Sequence, residues 1–214
     1  MGQDSCLILV GGEKPDSKQK VIFDFEGQDI ICADSGAHHA YDWHIVPGII
    51  CGDFDSIKDN VKNHFEKLQV EFVAYPIEKD WTDTELAIQI AIERGYHSCV
   101  LAGLDGGRID HQFTNYFVAS RYARQIDIQI IGNHHRTYFL SERFPKICLD
   151  DKKGKVISVI PLEESTGIDY VGLHYSLPGR TLFFGTGLGM SNFAKTDHVE
   201  ISLEQGLLMI VVNE

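Results

Sequence analysis

Short apolar runs rich in β-branched residues alternate with helical stretches along the first 140 residues of the chain. The runs predict strands at residues 6–10, 29–33, 48–51, 70–75, 98–102 and 126–131. Strands and helices that alternate at this spacing are typical of βαβ units, in which a parallel sheet is covered on both faces. The pattern therefore predicts an α/β domain with an open, Rossmann-like parallel sheet.

The clearest predicted helix is the segment TDTELAIQIAIERGY, which begins at Thr82. Thr82 can cap the first turn, and Glu85 stands three residues later, as in a capping box. The nearly continuous apolar middle indicates that this helix is largely buried. A second helix is predicted to follow Asp110, with Phe113, Tyr116 and Phe117 on one face.

Helical periodicity ends near residue 140. Four later runs predict strands, separated by glycine and proline turns: KVISVIPL, IDYVGLHYSL, TLFFG and HVEISLEQGLLMIVV. Within the last of these, Gln205 and Gly206 predict a hairpin turn. The polar, turn-rich segment SERFPKICLDDKKGK lies before the first of them. We therefore predict two domains, an α/β domain at residues 1–142 and a smaller all-β sandwich at residues 143–214.

Composition restricts the class of protein. Of the 214 residues, 43% are hydrophobic and 23% are charged, which is typical of a globular protein. No apolar run approaches the ~18 residues of a membrane span, and the start of the chain lacks a signal-peptide pattern, so we expect a cytoplasmic protein without a membrane partner. A formal charge of -12 argues against nucleic acid as a partner. The five cysteines are far apart and form no C-x-x-C pair, and four of them lie in apolar runs, so we expect buried thiols rather than zinc ligands or disulfide partners.

Acidic residues follow the predicted strands at the point where each strand ends. Asp34 follows the strand at 29–33, and Asp53 with Asp55 follows the strand at 48–51. In an open parallel sheet, ligands bind beyond the carboxyl ends of the strands, so we expect these side chains to meet at one edge. Helix capping does not account for the set, because a helix start needs one cap and GDFDS offers three candidates.

Two carboxylates one residue apart predict a metal site. In an extended stretch, Asp53 and Asp55 would face one way while Phe54 packs on the other side. Both stay ionised at low cost only if a positive group lies between them. A hard divalent cation meets this need, and Mg²⁺ is the usual choice where phosphates complete its shell. Asp83 is predicted as a third ligand, with Asp34 and Asp80 behind it.

The segment GLDGGRIDHQFTN supplies positive character at the same edge. Gly106 and Gly107 allow the backbone to approach a ligand, and Arg108 offers a planar fork that suits phosphate oxygens. The segment is neither a Walker A loop nor a G-x-G-x-x-G dinucleotide motif. His111 is compatible with a packed or a catalytic histidine.

Six motifs resemble those of the thiamine pyrophosphokinase family in order and spacing. They are ILVGGEKPD, ADSGAHHAYD, GDFDSI, KDWTDTELAI, GGRIDHQFTN and GTGLGMSNFA, and they span nearly the whole chain. The resemblance implies Mg²⁺-dependent transfer of a diphosphoryl group from ATP to the hydroxyl of thiamine, giving thiamine diphosphate and AMP. It also implies a thiamine-binding β-sandwich domain and a homodimer with sites between subunits.

The resemblance also implies roles for individual residues. The implied metal ligands are Asp53, Asp55 and Asp83. The residues expected beside ATP are Asp34, Ser35, Gly36, Lys79, Thr82, Arg108 and Asn115. Those expected at the thiamine pocket are Ser191, Asn192 and Tyr175. Arg108 and the metal would spread the developing charge, and a carboxylate among Asp80, Asp83 and Asp110 would accept the hydroxyl proton.

Two other functions fit parts of the pattern. The stretch DFDSI matches the nucleophile loop of haloacid-dehalogenase-type phosphatases, in which Asp53 would be phosphorylated. No clearly placed lysine and second acidic pair completes such a site. A non-catalytic nucleotide sensor would use the same cleft, although binding alone needs fewer carboxylates.

Overall fold

The computed structural model describes residues 4–16, 26, 29–76 and 80–214. These residues fold as two compact units. The first unit comprises the residues up to Tyr122 together with Ile130–Asn133, and the second comprises Ala123–Gln129 and His134–Glu214. The division by function that the sequence predicts, after residue 142, stays a prediction.

The first unit is built on five parallel strands. In chain order they are β1 (Ser5–Leu9), β2 (Ile30–Ala33), β3 (Ile49–Gly52), β4 (Glu71–Ala74) and β5 (Ser98–Ala102). Their order in the sheet is β5-β1-β2-β3-β4. All residues of β2 and β3 are buried, as expected of central strands covered on both faces. The predicted α/β class is confirmed.

Four helices accompany this sheet in the described ranges. They are α1 (Ala37–Asp42), which follows a short 3-10 turn at Asp34–Gly36, and α2 (Asp59–Lys67), α3 (Asp83–Glu93) and α4 (Ile109–Tyr122). None of them is both long and apolar enough to cross a bilayer.

Helix α3 begins at the predicted cap. The Thr82 hydroxyl accepts a hydrogen bond from the Glu85 amide at 3.2 Å. The buried Glu85 carboxylate accepts bonds from Arg121 Nη1 and the Tyr122 hydroxyl, both at 2.9 Å. Only the threonine half of the predicted capping box is therefore present, and the Glu85 side chain ties α3 to the end of α4.

Helix α4 exposes two of the three aromatic residues that the sequence places on one face, whereas the half-buried Tyr116 donates a hydrogen bond to Asp105. Phe113 and Phe117 are 58% and 61% exposed, and Ile109 in the first turn is 61% exposed. The buried side of the helix carries Ala119 and Tyr122 near its end. The first unit thus presents a row of large apolar side chains outward along α4.

The second unit is all-β. After β6 (Asp127–Ile131), whose residues divide between the two units, its strands are β7 (His135–Leu140), β8 (Lys146–Leu149), β9 (Val156–Pro161), β10 (Ser165–Val171), β11 (Arg180–Leu182), β12 (Asn192–Phe193), β13 (Val199–Ser202) and β14 (Leu208–Asn213). They form two antiparallel sheets, ordered β12-β9-β14-β7 and β11-β10-β13-β8. Buried side chains from both sheets, including Ile157, Ile168, Ile201 and Ile210, share one core.

The predicted hairpin at Gln205 and Gly206 is wrong. Strand β13 pairs with β10 and β8, whereas β14 pairs with β7 and β9, so the two strands lie in different sheets. Leu203 and Leu207 are both buried, which anchors the connection on either side of the glycine. Gln205 instead bridges to Thr166.

One strand lies where the sequence predicts only turns. Strand β8 pairs with β13 at the edge of its sheet, and its burial alternates. Ile147 and Leu149 point towards the core, while Lys146 and Cys148 are exposed. Four residues of alternation between polar turns are too short to stand out in the sequence.

Candidate active site

A cavity of about 670 Å³ lies in the first unit at the carboxyl ends of its strands. Residues directly after β1, β2, β3 and β5 line it together with the first turns of α3 and α4. The predicted residues among them are Asp34, Ser35, Asp55, Thr82, Asp83, Gly106, Gly107, Arg108, Asp110 and Asn115. Parallel strands bring these distant segments to one edge, as the sequence pattern indicates.

Some predicted residues lie elsewhere. Gly36 is buried in the 3-10 turn, and a Cβ placed there would lie 2.0 Å from the Leu9 carbonyl oxygen, so only glycine allows this approach to β1. Asp80 is exposed and does not line the cavity. Lys79 lies outside the described residues.

Three carboxylates form a tight cluster beside the cavity. Asp34, Asp53 and Asp55 each offer one oxygen, and these oxygens lie within 4.8 Å of one another. Asp34 is 6% exposed, and its Oδ1 has no hydrogen-bond partner among the described residues. Burial, followed by the charges of Asp83, Asp53 and Asp55, raises the pKa of Asp34 to about 6, although the Ser35 amide acts in the opposite direction. A hard divalent cation would satisfy the buried oxygen and relieve this repulsion, so the residues fit Mg²⁺.

The backbone brings Asp53 and Asp55 together in a way the sequence does not predict. Phe54 has a φ of +66°, so the stretch is not extended. The Asp53 Oδ1 accepts a bond from the Asp55 amide at 3.1 Å, which closes a local turn. Phe54 still packs on the other side, with its ring centroid 5.3 Å from that of Phe72. The predicted facing of the side chains is found, but the predicted extended backbone is wrong.

Gly52, the last residue of β3, makes room for the acidic side chains. Its φ is +141°, a conformation that favours glycine. A Cβ at this position would lie 3.0 Å from Asp83 Oδ1 and 3.1 Å from Asp34 Cβ. Asp83, the first residue of α3, therefore lies against the cluster, although Asp34 rather than Asp83 completes the tight group of three.

Arg108 and Asp110 form an exposed bidentate ion pair at the cavity. Arg108 Nε and Nη2 donate to the two Asp110 carboxylate oxygens at 3.1 and 2.5 Å. Hydrogen bonding to Arg108 lowers the pKa of Asp110. A phosphate at this edge of the cavity would have to share or replace the carboxylate on the guanidinium.

Asp105 holds the loop that carries Arg108. Its Oδ2 accepts a bond from the Asn133 amide at 3.0 Å, and its Oδ1 accepts longer bonds of 3.3 Å from Gln112 and Tyr116. This role of Asp105 cannot be recognised in the sequence. An aspartate that stabilises a turn and an aspartate that binds a ligand look alike in a sequence. Only their contacts in the structure distinguish the two roles.

Several cavity residues also escape the sequence analysis. They are Val10, Gly11, Gly12, Ser56, Thr84, Leu104 and Thr114. Gly11 and Gly12 could have been identified from the sequence, because they directly follow β1. The acidic residues of the site follow β2 and β3 in the same way. Thr114 lies one turn from Asp110 on α4, so helical spacing could have identified it. His111, left open by the sequence, lines the cavity.

In the second unit, Asn192 brings the predicted thiamine-side residues together. Asn192 is 4% exposed, and its Oδ1 accepts bonds from the Tyr175 and Phe193 amides, both at 3.0 Å. Its Nδ2 donates to the Tyr175 carbonyl oxygen at 2.7 Å. The neighbouring Ser191 has a φ of +54°, and its amide donates to the Ser158 hydroxyl at 3.0 Å. Asn192 thus fixes the backbone of Tyr175.

Aromatic rings accompany this backbone contact. The Tyr175 side chain is 63% exposed, and its ring meets that of His174 edge-on, with a centroid distance of 4.6 Å. His174 in turn stacks on Phe193 with a centroid distance of 4.4 Å. The unit also exposes further large apolar side chains, namely Phe183, Phe184, Leu188 and Met190. Large exposed apolar groups of this kind often mark a ligand or partner surface.

The chain thus has the architecture of proteins that join an α/β unit to an all-β unit. Its α/β unit carries carboxylates and Arg108 at the carboxyl edge of the sheet, where these groups suit a metal ion and a phosphate. Two family models match this chain. The model described as "Thiamin pyrophosphokinase, catalytic domain" matches residues 26–131, and the model described as "Thiamin pyrophosphokinase, vitamin B1 binding domain" matches residues 146–208. The chain belongs to the thiamine pyrophosphokinase family.

Individual relatives agree with the family models. The chain is 28% identical over 206 residues to a thiamine pyrophosphokinase of Bacillus subtilis (strain 168), covering 95% of this chain and 96% of the relative. The crystal structure of thiamine pyrophosphokinase from Bacillus subtilis matches with a TM-score of 0.84 and 25% identity over 98% of each chain. That of thiamin pyrophosphokinase from Geobacillus thermodenitrificans matches with a TM-score of 0.81 and 25% identity over 98% of this chain and 97% of its own. These similarities confirm the family resemblance and give no support to the phosphatase or sensor interpretations.

Proposed function

We propose that this protein transfers the diphosphoryl group of ATP to the hydroxyl of thiamine, with thiamine diphosphate and AMP as products. The observation that carries the proposal is the cluster of Asp34, Asp53 and Asp55 beside a cavity that Arg108 also lines. Membership of the thiamine pyrophosphokinase family supports the identity of both substrates.

ATP would bind in the Rossmann-like α/β domain, at residues 1–142. The cavity offers oxygen and amide groups from Ser35, Thr82 and Asn115, and the start of α4 adds the positive end of a helix dipole. Arg108 would exchange part of its pairing with Asp110 for phosphate oxygens, because both ligands use the same planar fork.

Mg²⁺ would be held by Asp53, Asp55 and Asp83, with Asp34 at the buried side of the cluster. The ion would screen the negative charge of the phosphate oxygens during transfer. Asp34 and Asp83 can both approach the proposed metal position, because Gly52 at the end of β3 has no side chain to displace them.

Asp110 is the least suitable of the three candidate proton acceptors. Its ion pair with Arg108 lowers its pKa, and a carboxylate with a lowered pKa is a weaker base. Asp80 and Asp83 remain as candidates, and of the two only Asp83 lines the cavity.

Thiamine would contact the β-sandwich domain, at residues 143–214. The exposed Tyr175 ring suits the cationic thiazolium of thiamine, because aromatic faces attract cations. Asn192 would position that ring by fixing its backbone, and the Ser191 hydroxyl would offer a polar contact. A cytoplasmic homodimer with sites between subunits, implied by the resemblance, belongs to the same proposal.

The product analysis tests the reaction. The protein is incubated with ATP, Mg²⁺ and thiamine, and nucleotides and thiamine esters are separated by anion exchange. We expect AMP and thiamine diphosphate in equal amounts. ADP with thiamine monophosphate would contradict diphosphoryl transfer, and inorganic phosphate released without thiamine would favour a phosphatase.

Two variants test the metal site in the same assay. We expect Asp53→Asn and Asp55→Asn each to abolish turnover with little loss of stability, because each removes a metal ligand and also one of two repelling charges. The exposed Asp59→Asn, on α2 and outside the cavity lining, serves as a control with unchanged turnover. Near-normal activity of either cluster variant in Mg²⁺ would refute the metal assignment.

A further inference from the structure

A second group of metal-ligand side chains lies in the all-β unit. Cys148 on β8, His198 just before β13, and Glu200 on β13 each offer one ligand atom, and these atoms lie within 4.8 Å of one another. The group combines a thiol, an imidazole and a carboxylate. None of the three belongs to the catalytic or thiamine-side residues described above.

The sheet itself holds two of these side chains together. Cys148 and Glu200 are direct partners in the antiparallel register of β8 and β13. Side chains of directly opposed residues share one face of the sheet, with Cβ atoms roughly 5 Å apart. The buried Leu149 fixes the neighbouring face of β8 in the core, so Cys148 is held outward. No movement of the backbone is needed to direct the sulfur and the carboxylate to one ion.

The imidazole is oriented by a further carboxylate. His198 Nδ1 lies 2.8 Å from Asp150 Oδ1, and His198 Nε2 lies 3.0 Å from Glu200 Oε1. Metal-bound histidines usually donate their second ring N–H to a carboxylate, which fixes the tautomer. Asp150 occupies that position here. Nε2 is thereby directed to the side on which Glu200 and Cys148 lie.

We propose that Cys148, His198 and Glu200 bind a borderline-soft divalent cation of the Zn²⁺ type, with Asp150 as the outer carboxylate. A set of sulfur, nitrogen and oxygen ligands is typical of tetrahedral Zn²⁺, with water in the fourth position. The thiolate and imidazole select against Mg²⁺ and Ca²⁺, which prefer oxygen ligands alone. The two proposed metal sites of this chain thus differ in chemistry as well as in place.

Exchange of a divalent ion for two protons would leave the net charge of this group unchanged. Without the ion, Lys146 pairs with Glu200, and protonated His198 pairs with Asp150, so the group is neutral. Binding of M²⁺ would release one proton from the Cys148 thiol and one from His198, and the group would again be neutral. The ion pair with Lys146 uses Oε2 of Glu200, while Oε1 faces the imidazole.

Cobalt provides a direct test, because a thiolate ligand gives Co²⁺ a near-ultraviolet charge-transfer absorption. We expect the full-length protein to develop this band with one equivalent of Co²⁺, and Zn²⁺ to abolish it. The band should be lost in Cys148→Ser, and Asp150→Asn should weaken binding about tenfold or more. Asp55→Asn, in the carboxylate cluster of the other unit, and His97→Gln, at an exposed histidine, should keep the band. A band that persists in Cys148→Ser, or no band in the natural protein, would overturn the proposal.

Thiol reactivity gives a second readout that does not depend on the Cys148→Ser variant. All five cysteines lie in the described residues, and four are buried, which leaves Cys148 as the exposed thiol. A thiol-specific chromogenic disulfide should therefore modify one cysteine of the native protein. Saturating Zn²⁺ should slow this reaction about tenfold or more, and His198→Gln should remove most of the protection. An unchanged rate in Zn²⁺ would overturn the proposal even if Cys148→Ser failed to fold.

Discussion

At the scale of single residues, Asp34 carries the strongest sign of a site built for a cation. It is buried, one of its oxygens has no partner among the described residues, and three other carboxylates act on it. Its φ of +44° is also unusual for a residue other than glycine. Strain and unsatisfied polarity together are typical of residues kept for function.

The raised pKa of Asp34 predicts that the free energy of unfolding of the metal-free protein depends on pH. Because the folded pKa is about 6 and the ordinary value is 3.8, stability falls as pH rises between these values, and the cost is fully present above pH 6. Asp34→Asn should therefore be more stable than the natural protein above pH 6, by about 2–3 kcal/mol. The difference should vanish near pH 4.

Urea unfolding in a chelator, at pH 4 and at pH 7.5, checks this prediction. Addition of Mg²⁺ at pH 7.5 should shrink the difference, since the ion stabilises only the protein that keeps the carboxylate. If the two proteins differ in unfolding free energy by the same amount at both pH values, the pKa of Asp34 is not raised.

Residue types alone account for much of the site but not for its backbone. The acidic residues could be predicted because each directly follows a strand, and strand ends converge in a parallel sheet. Two features of the site could not be predicted. Phe54 has a positive φ, and Asp34 rather than Asp83 completes the tight cluster. Both features depend on the backbone conformation of a short turn. Residue types alone do not select that conformation, because many side chains are compatible with more than one.

At the scale of elements, strand β12 is the feature that prepares the thiamine side of the proposed site. It contains only Asn192 and Phe193, and it pairs with Ile157 and Val156 of β9. Asn192 then spans to the backbone of Tyr175 with one donor and one acceptor. A two-residue strand thus determines where an exposed aromatic ring lies.

Asn192→Ala should therefore impair thiamine binding more than ATP binding. The loss of three hydrogen bonds to backbone groups should cost about 1–3 kcal/mol of stability. We expect KM for thiamine to rise about tenfold or more as Tyr175 moves, with KM for ATP nearly unchanged. Tyr175→Phe keeps the ring and its backbone bonds, and serves as a control with nearly normal KM. Equal changes in both KM values would contradict a positioning role.

The elements themselves were predictable where a run was long or strongly apolar. Strands β1, β2, β3 and β5 are continuous apolar runs, and α3 carries a recognisable cap at Thr82. The pairing of β13 and β14 with different sheets was not predictable, because a turn signal does not state which partner a strand will take. Strand β8 is too short to give a periodic signal.

At the scale of the whole molecule, the exposed apolar side chains of α4 bear on the proposed homodimer. Phe113 and Phe117 stand outward on α4, one turn apart, at 58% and 61% exposure. Isolated exposed apolar residues are common, whereas contiguous exposed apolar patches mark interaction surfaces. Together with the homodimer that the family resemblance implies, they support a dimer.

We expect light scattering to show a dimer at micromolar concentration. The double variant Phe113→Glu with Phe117→Glu should shift the equilibrium towards monomer, because charges on an apolar contact surface are costly to bury. The exposed Leu68→Glu, directly after α2 in the same unit, provides a matched control. A fully active monomer would refute the proposed dimer with sites between subunits.

The exposure of a single thiol also makes the natural chain a ready substrate for site-specific labelling. A maleimide dye or spin label would attach at Cys148 alone, since the other four cysteines are buried. The attachment point lies on an edge strand of the second unit, on a face that the core does not use. Fluorescence or magnetic-resonance experiments on this protein could therefore begin without removing any native cysteine.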